Sequence, residues 1–69
     1  MVEVFKTNIN KVKQSKMLIR KLNEHYPESN ISFDLQDCDN VLRVEGEDIC
    51  SEKIIELLTI DGYRCEILM

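Results

Sequence analysis

Polar and apolar residues alternate most cleanly over Ile31 to Gln36, where Ile31, Phe33 and Leu35 are interleaved with Ser32, Asp34 and Gln36. A period of two turns one face of a strand to a core and the other to water. Asp37-Cys-Asp-Asn40 follows as a turn, because Asp and Asn side chains bond their own backbone and tolerate left-handed conformations. Val41 to Glu45 then returns as a second strand with Leu42 and Val44 inward, and the two make a β-hairpin. On the N-terminal side, Val12, Leu18, Ile19, Leu22 and Tyr26 recur at helical spacings between Lys11 and Tyr26, with Lys and Arg on the other face. Asn8 and Asn10 stand where that helix wants a cap, and Pro27 stops it, since the residue before a proline is pushed out of the α region.

Val2 to Thr7 is rich in β-branched and aromatic residues and predicts a first strand. Its faces stay open: Val2 and Val4 compete with Phe5 and Thr7 for the core. After Gly46-Glu-Asp48 breaks the third strand, Ser51 offers a cap to a second helix, with Ile54, Ile55, Leu57 and Leu58 as its apolar face. Gly62 suits the left-handed position just past that helix. Arg64 to Met69 alternates again as a last strand, with Cys65 and Ile67 inward. Leu18, Leu22, Phe33, Leu35, Val44, Ile55 and Leu58 are expected to share one core.

Strand, helix, hairpin, helix, strand is the ferredoxin-like βαββαβ pattern of an α+β sandwich. It predicts a four-stranded antiparallel sheet of order 4-1-3-2 with two helices on one face. The first strand-to-helix loop, the 37–40 turn and the 60–63 turn then share one end of the domain. The Pro27 turn and the Gly46 to Cys50 loop share the other.

The 69 residues fit one domain near the lower limit of independent folding. With 43% hydrophobic and 32% charged residues the chain has enough apolar content to form a core, which excludes a disordered class. It shows no apolar run near ~20 residues and no signal-peptide pattern at its start, so a cytoplasmic protein without membrane contact is expected. Three irregularly spaced cysteines, Cys38, Cys50 and Cys65, make no disulfide framework and are expected to be reduced.

Net charge divides along the chain. Residues 1 to 27 carry six Lys or Arg against two Glu, a surplus of +4, whereas residues 28 to 69 carry three cations against eleven acids, a surplus of −8. Such a division solvates different faces with different signs, or it makes an electrostatic docking face.

Two stretches carry a family resemblance. Ile9 to Leu22 followed by Ile31-Ser-Phe-Asp-Leu35 resembles the first loop, helix and second strand of the heavy-metal-associated, copper-chaperone-like domains. Ser51-Glu-Lys-Ile-Ile-Glu-Leu-Leu-Thr-Ile-Asp-Gly-Tyr63 resembles their second helix with its terminal Gly-Tyr. The resemblance covers nearly all of residues 1–69 and implies a single domain of that kind. In the family the first loop carries Met-x-Cys-x-x-Cys, whose thiolates hold Cu(I) or another soft ion. With Ile9 at the methionine, Lys11 and Gln14 fall at the cysteines, and no cysteine precedes Cys38. A protonated amine and an amide are poor soft-metal ligands, so the usual metal site is expected to be lost and no cofactor is called for.

The remaining thiols do not replace it. Cys38 at the hairpin turn and Cys65 on the last strand are expected two to three strand spacings apart, roughly 10 to 14 Å. Zinc–sulfur bonds of about 2.3 Å and a disulfide's Cα limit of about 7 Å cannot span that. Cys50 lies at the other end and is expected to be packed. Cys38 is expected to be exposed, which leaves a soft-metal site shared between two molecules as an alternative. His25 is expected as a solvated residue in the last turn of the first helix, where positive charge is favourable.

RNA-recognition modules share this strand order but stack bases on aromatics of the central strands. Phe5 offers one ring, Val41 to Glu45 offers none, and the acidic C-terminal part opposes nucleic acid. No phosphate loop, triad or paired carboxylates occur, so an enzyme is not expected. The leading reading is a non-catalytic protein-interaction or regulatory module, acting as a monomer or weak dimer. Its partner would be an acidic protein meeting Lys11, Lys13 and Lys16, because in the resembling family this end of the domain meets the partner. Phe5 is a rival docking residue if it faces outward. The alternative is a copper or zinc trafficking protein that uses Cys38.

Overall fold

Phe5 decides how the first strand sits. In the computed structural model, which describes residues 1–68, β1 spans Val2–Thr7 with Phe5 and Thr7 buried, while Val2 and Lys6 are exposed. Phe5 has no accessible surface, so it is a core residue and not a docking residue. A ring supplies far more apolar area than a valine, so the inward face goes to Phe5.

Helix α1 spans Val12–His25, β2 Asn30–Asp34, β3 Val41–Glu45, α2 Ser51–Ile60 and β4 Cys65–Ile67. The result is an α+β domain with a four-stranded antiparallel sheet and two helices. The sheet order is β2-β3-β1-β4, which counted from the other edge is 4-1-3-2. β1 pairs with both β3 and β4, and β2 lies on the outside of β3. Both helices contribute to one cluster with the inward residues Phe5, Leu42, Val44 and Cys65 of the sheet.

Leu18, Leu22, Val44 and Leu58 are buried as expected, whereas Phe33, Leu35 and Ile55 are half-buried against the cluster. Phe33 is on an edge strand and Leu35 just past it, so no further strand covers them. The centre is instead completed by Phe5, Ile9, Leu42 and Ile54, all without accessible surface. Ile67 is another correction. Its register partner is Phe5, so it shares the core side, yet at the end of the short edge strand β4 it is 47% exposed. Val12, expected inward, is 61% exposed, and the inward face of α1 is instead made by Ser15, Leu18 and Leu22.

The helix ends differ from expectation at their starts. Lys11 and Cys50 occupy the N-cap positions and neither helix has a side-chain cap. Asn8 does not cap α1; its Oδ1 accepts the Arg64 N–H at 2.9 Å and ties the first loop to the start of β4. The end of α2 follows expectation closely. The Tyr63 N–H reaches the Leu58 carbonyl at 3.0 Å, the Gly62 N–H reaches Thr59 at 2.9 Å, and Gly62 has φ +88. Those two bonds and the left-handed residue define a Schellman cap. Strand β2 ends earlier than its alternation suggests, because Asp34 Oδ1 accepts the N–H groups of Gln36 and Asp37 and turns the chain.

Candidate docking surface

The first loop is held from three sides. Thr7 N–H donates to the Asp39 carbonyl at 3.1 Å, and Thr7 Oγ1 donates to the Asn40 carbonyl at 2.6 Å. The same oxygen accepts the Ile9 N–H at 3.2 Å. Ile9 is thereby anchored in the core beside the hairpin turn, where Asn40 adopts φ +47 and Asp37 Oδ1 caps the Asp39 N–H at 2.9 Å. The chain leaves Ile9 already fixed and enters α1 within three residues.

That entry sets the charges. Lys11 is extended, at φ −121 and ψ 135, and α1 begins at the next residue. Lys11, Lys13 and Lys16 are all exposed. Among the described residues none of the three forms an ion pair; the salt bridges are Lys6 with Asp39, Lys21 with Asp61 and Arg43 with Glu45. The first turn of α1 contains no acidic residue. A helix N-terminus carries about half a positive charge from its unpaired N–H groups, so lysines there oppose the dipole. Three exposed cations thus lie at or just after a positive helix end.

A groove of about 350 Å³ runs beside it, lined by Gln14, Met17, Leu18, Lys21, Asp61 and Tyr63. Lys21 closes one wall through a 2.9 Å pair with Asp61. Gln14 Oε1 is buried without a hydrogen-bond partner.

The other singled-out residues are scattered. Phe5 is wholly buried and takes no part in any surface. Cys38 is exposed on the hairpin turn and Cys65 is buried on β4. Cys50 is exposed, not packed, because it sits at the extended N-cap of α2, outside the helix's inward face. Burial and the neighbouring Glu66 push the Cys65 thiol up from 9.0 to about 11. His25 is exposed in the last turn of α1.

Around Cys38, ligand atoms of Asp37, Cys38 and Asp39 lie within 4.8 Å of one another. Asp37 already accepts a backbone N–H and Asp39 faces Lys6 at 3.8 Å. One soft and two hard donors, both carboxylates already engaged, form a poor match for Cu(I). No helix among the described residues is long and apolar enough to cross a membrane.

Sequence reasoning did not single out the α1–β2 side. There Val12, Ser15, Phe33, Asp34, Leu35 and Gln36 line a second groove, of about 390 Å³. The alternation of β2 was visible, but how far α1 leaves Phe33 and Leu35 open depends on packing. Comparison with family models, with characterised proteins and with solved structures finds no match to this chain.

Proposed function

We propose that this chain is a non-catalytic interaction module, a ferredoxin-like relative of the heavy-metal-associated domains that has exchanged their metal loop for a cationic docking surface. Its partner is an acidic protein, met by Lys11, Lys13 and Lys16. The observation that carries this reading is the placement of unpaired lysines at the start of α1, where Lys11 and Lys13 oppose the helix dipole and Lys16 follows in the next turn. A surface that opposes its own fold's electrostatics is best accounted for by an anionic counterpart. Anchoring of the loop through Thr7 supports the same reading, because a preorganised surface loses little entropy on binding.

Once a partner is identified by pull-down, its affinity for the chain and for a Lys11→Glu, Lys13→Glu variant tests the proposal. The variant is expected to bind about tenfold more weakly or worse, and wild-type binding is expected to weaken with salt. Equal affinity of a folded variant contradicts it.

A second reading rests on the exposure of Cys38 at the hairpin turn. Two molecules meeting at Cys38 would gather two thiolates, a soft-metal donor set that one chain does not offer. Metal-dependent dimerisation lost in Cys38→Ser distinguishes this reading from the first.

A further inference from the structure

Natural sheets protect their edges with short strands, bulges, prolines or charges, lysine above all. Strand β4 follows that practice, being three residues long with Arg64 before it and Glu66 within it. Strand β2 is less protected. Its five residues, Asn30-Ile-Ser-Phe-Asp34, carry a single charge, Asp34 at the last position, contain no Lys, Arg or Pro, and pair one to one with β3 from Asn30↔Glu45 to Asp34↔Val41 without a bulge. The outer N–H and C=O groups of this strand face away from the sheet. Above them the groove of Val12, Ser15, Phe33 and Leu35 leaves apolar surface uncovered, with Val12 61% exposed.

We propose that the β2 edge is a self-association surface, on which a second copy of this chain pairs antiparallel through Asn30–Asp34 and closes the α1–β2 groove. The strand is complementary to itself. Full overlap is centred on Ser32, which sets Ile31 opposite Phe33 on the helix side and Asn30 opposite Asp34 on the open side. An aliphatic–aromatic pair and an amide–carboxylate pair are both favourable, and no like charges are opposed.

Charge complementarity supports the same occupant. Val12 lies beside Phe33 and Leu35 at the hairpin end of the groove. The turn through Glu28 leads into the opposite end of β2. A two-fold axis through Ser32 exchanges these ends, so the lysine-rich start of each α1 approaches Glu28 of the second copy. Lys16 is one helical turn from Val12 and lies on that side. Such an interface is isologous and closed, giving a dimer and not a fibre. It extends the sheet to eight strands and leaves Lys13, which points about 100° away from Val12 around the helix, outside the contact.

Sedimentation of the full chain up to about 0.5 mM tests this, since self-association is governed by concentration. The wild type is expected to dimerise reversibly. Ser32 is exposed on the open face, so Ser32→Lys and Ser32→Glu are expected to fold, which circular dichroism checks. Each variant alone opposes like charges across the axis and is expected to dimerise about tenfold more weakly. Mixed in equal amounts, the two variants are expected to recover a heterodimer. A wild type that stays monomeric overturns the proposal, and so does a dimer that neither Ser32 variant weakens. Lys16 borders both this interface and the docking surface proposed for Lys11, Lys13 and Lys16, but the readout needs no acidic partner, so failure of one proposal is distinguishable from failure of the other.

Discussion

Thr7 donates a 2.6 Å hydrogen bond to the carbonyl of Asn40, 33 positions away, and with the same oxygen accepts the Ile9 N–H. One hydroxyl joins the end of β1, the hairpin turn and the loop that presents Lys11. Thr7→Val keeps the shape and removes both bonds, leaving two backbone groups in a water-poor place. A loss of about 1 to 3 kcal/mol is expected in urea unfolding. Faster amide exchange at Ile9 is expected to accompany it.

The two glycines resist substitution for different reasons. At Gly62 a Cβ meets nothing within 4 Å, so Gly62→Ala is expected to cost only the left-handed backbone, about 1 to 2 kcal/mol. At Gly46 a Cβ falls 2.5 Å from Ser29 Oγ and 3.1 Å from its Cβ. Gly46→Ala is therefore expected to be partly relieved by adding Ser29→Gly, whereas Gly62→Ala is indifferent to residue 29. Thermal melts of the two double variants separate strain from clash.

Thiol reactivity is expected to follow burial. At pH 8, iodoacetamide modifies Cys38 and Cys50 and spares Cys65 until the chain unfolds. For Cys65 the unfolded thiol ionises near 9.0 and the folded one near 11. The neutral thiol is thus favoured by folding, so its contribution is complete below pH 9.0 and declines as pH rises toward 11. The decline is on the order of 2 kcal/mol. Cys65→Ala is expected to flatten that part of the stability profile, and an unchanged slope contradicts the assignment.

Metal affinity is expected to be that of a surface thiol. Residues 9–14 contain no thiol, imidazole or carboxylate, so Cu(I) or Zn(II) titrated under reducing conditions is expected to leave their resonances unshifted. A one-to-one complex that survives a competing chelator contradicts this.

The sheet and both helices were legible because each element carries its own period. The Gly62 cap was legible too, since only a left-handed C′ explains glycine there. The face of β1 was not, because Val2 and Val4 favour one face, Phe5 and Thr7 favour the other, and only packing selects Phe5. Capping chemistry misleads at Asn8, whose side chain serves the start of β4 instead, and at Ser51, which is the first residue inside α2 with Cys50 at the N-cap. The lysines of the candidate surface were plain in the sequence. Their lack of ion-pair partners, and the half-open α1–β2 groove, arise only once the elements are packed.

The most direct test of the docking account combines affinity and stability in one variant. Lys11→Glu with Lys13→Glu replaces charges that oppose the α1 dipole by charges that favour it, so stability is expected to rise by about 0.3 to 1 kcal/mol per site. Affinity for the acidic partner is expected to fall about tenfold or more in the same protein, with a weaker dependence on salt. A variant that gains stability and keeps full affinity would contradict the account, because the lysines would then oppose folding without serving recognition.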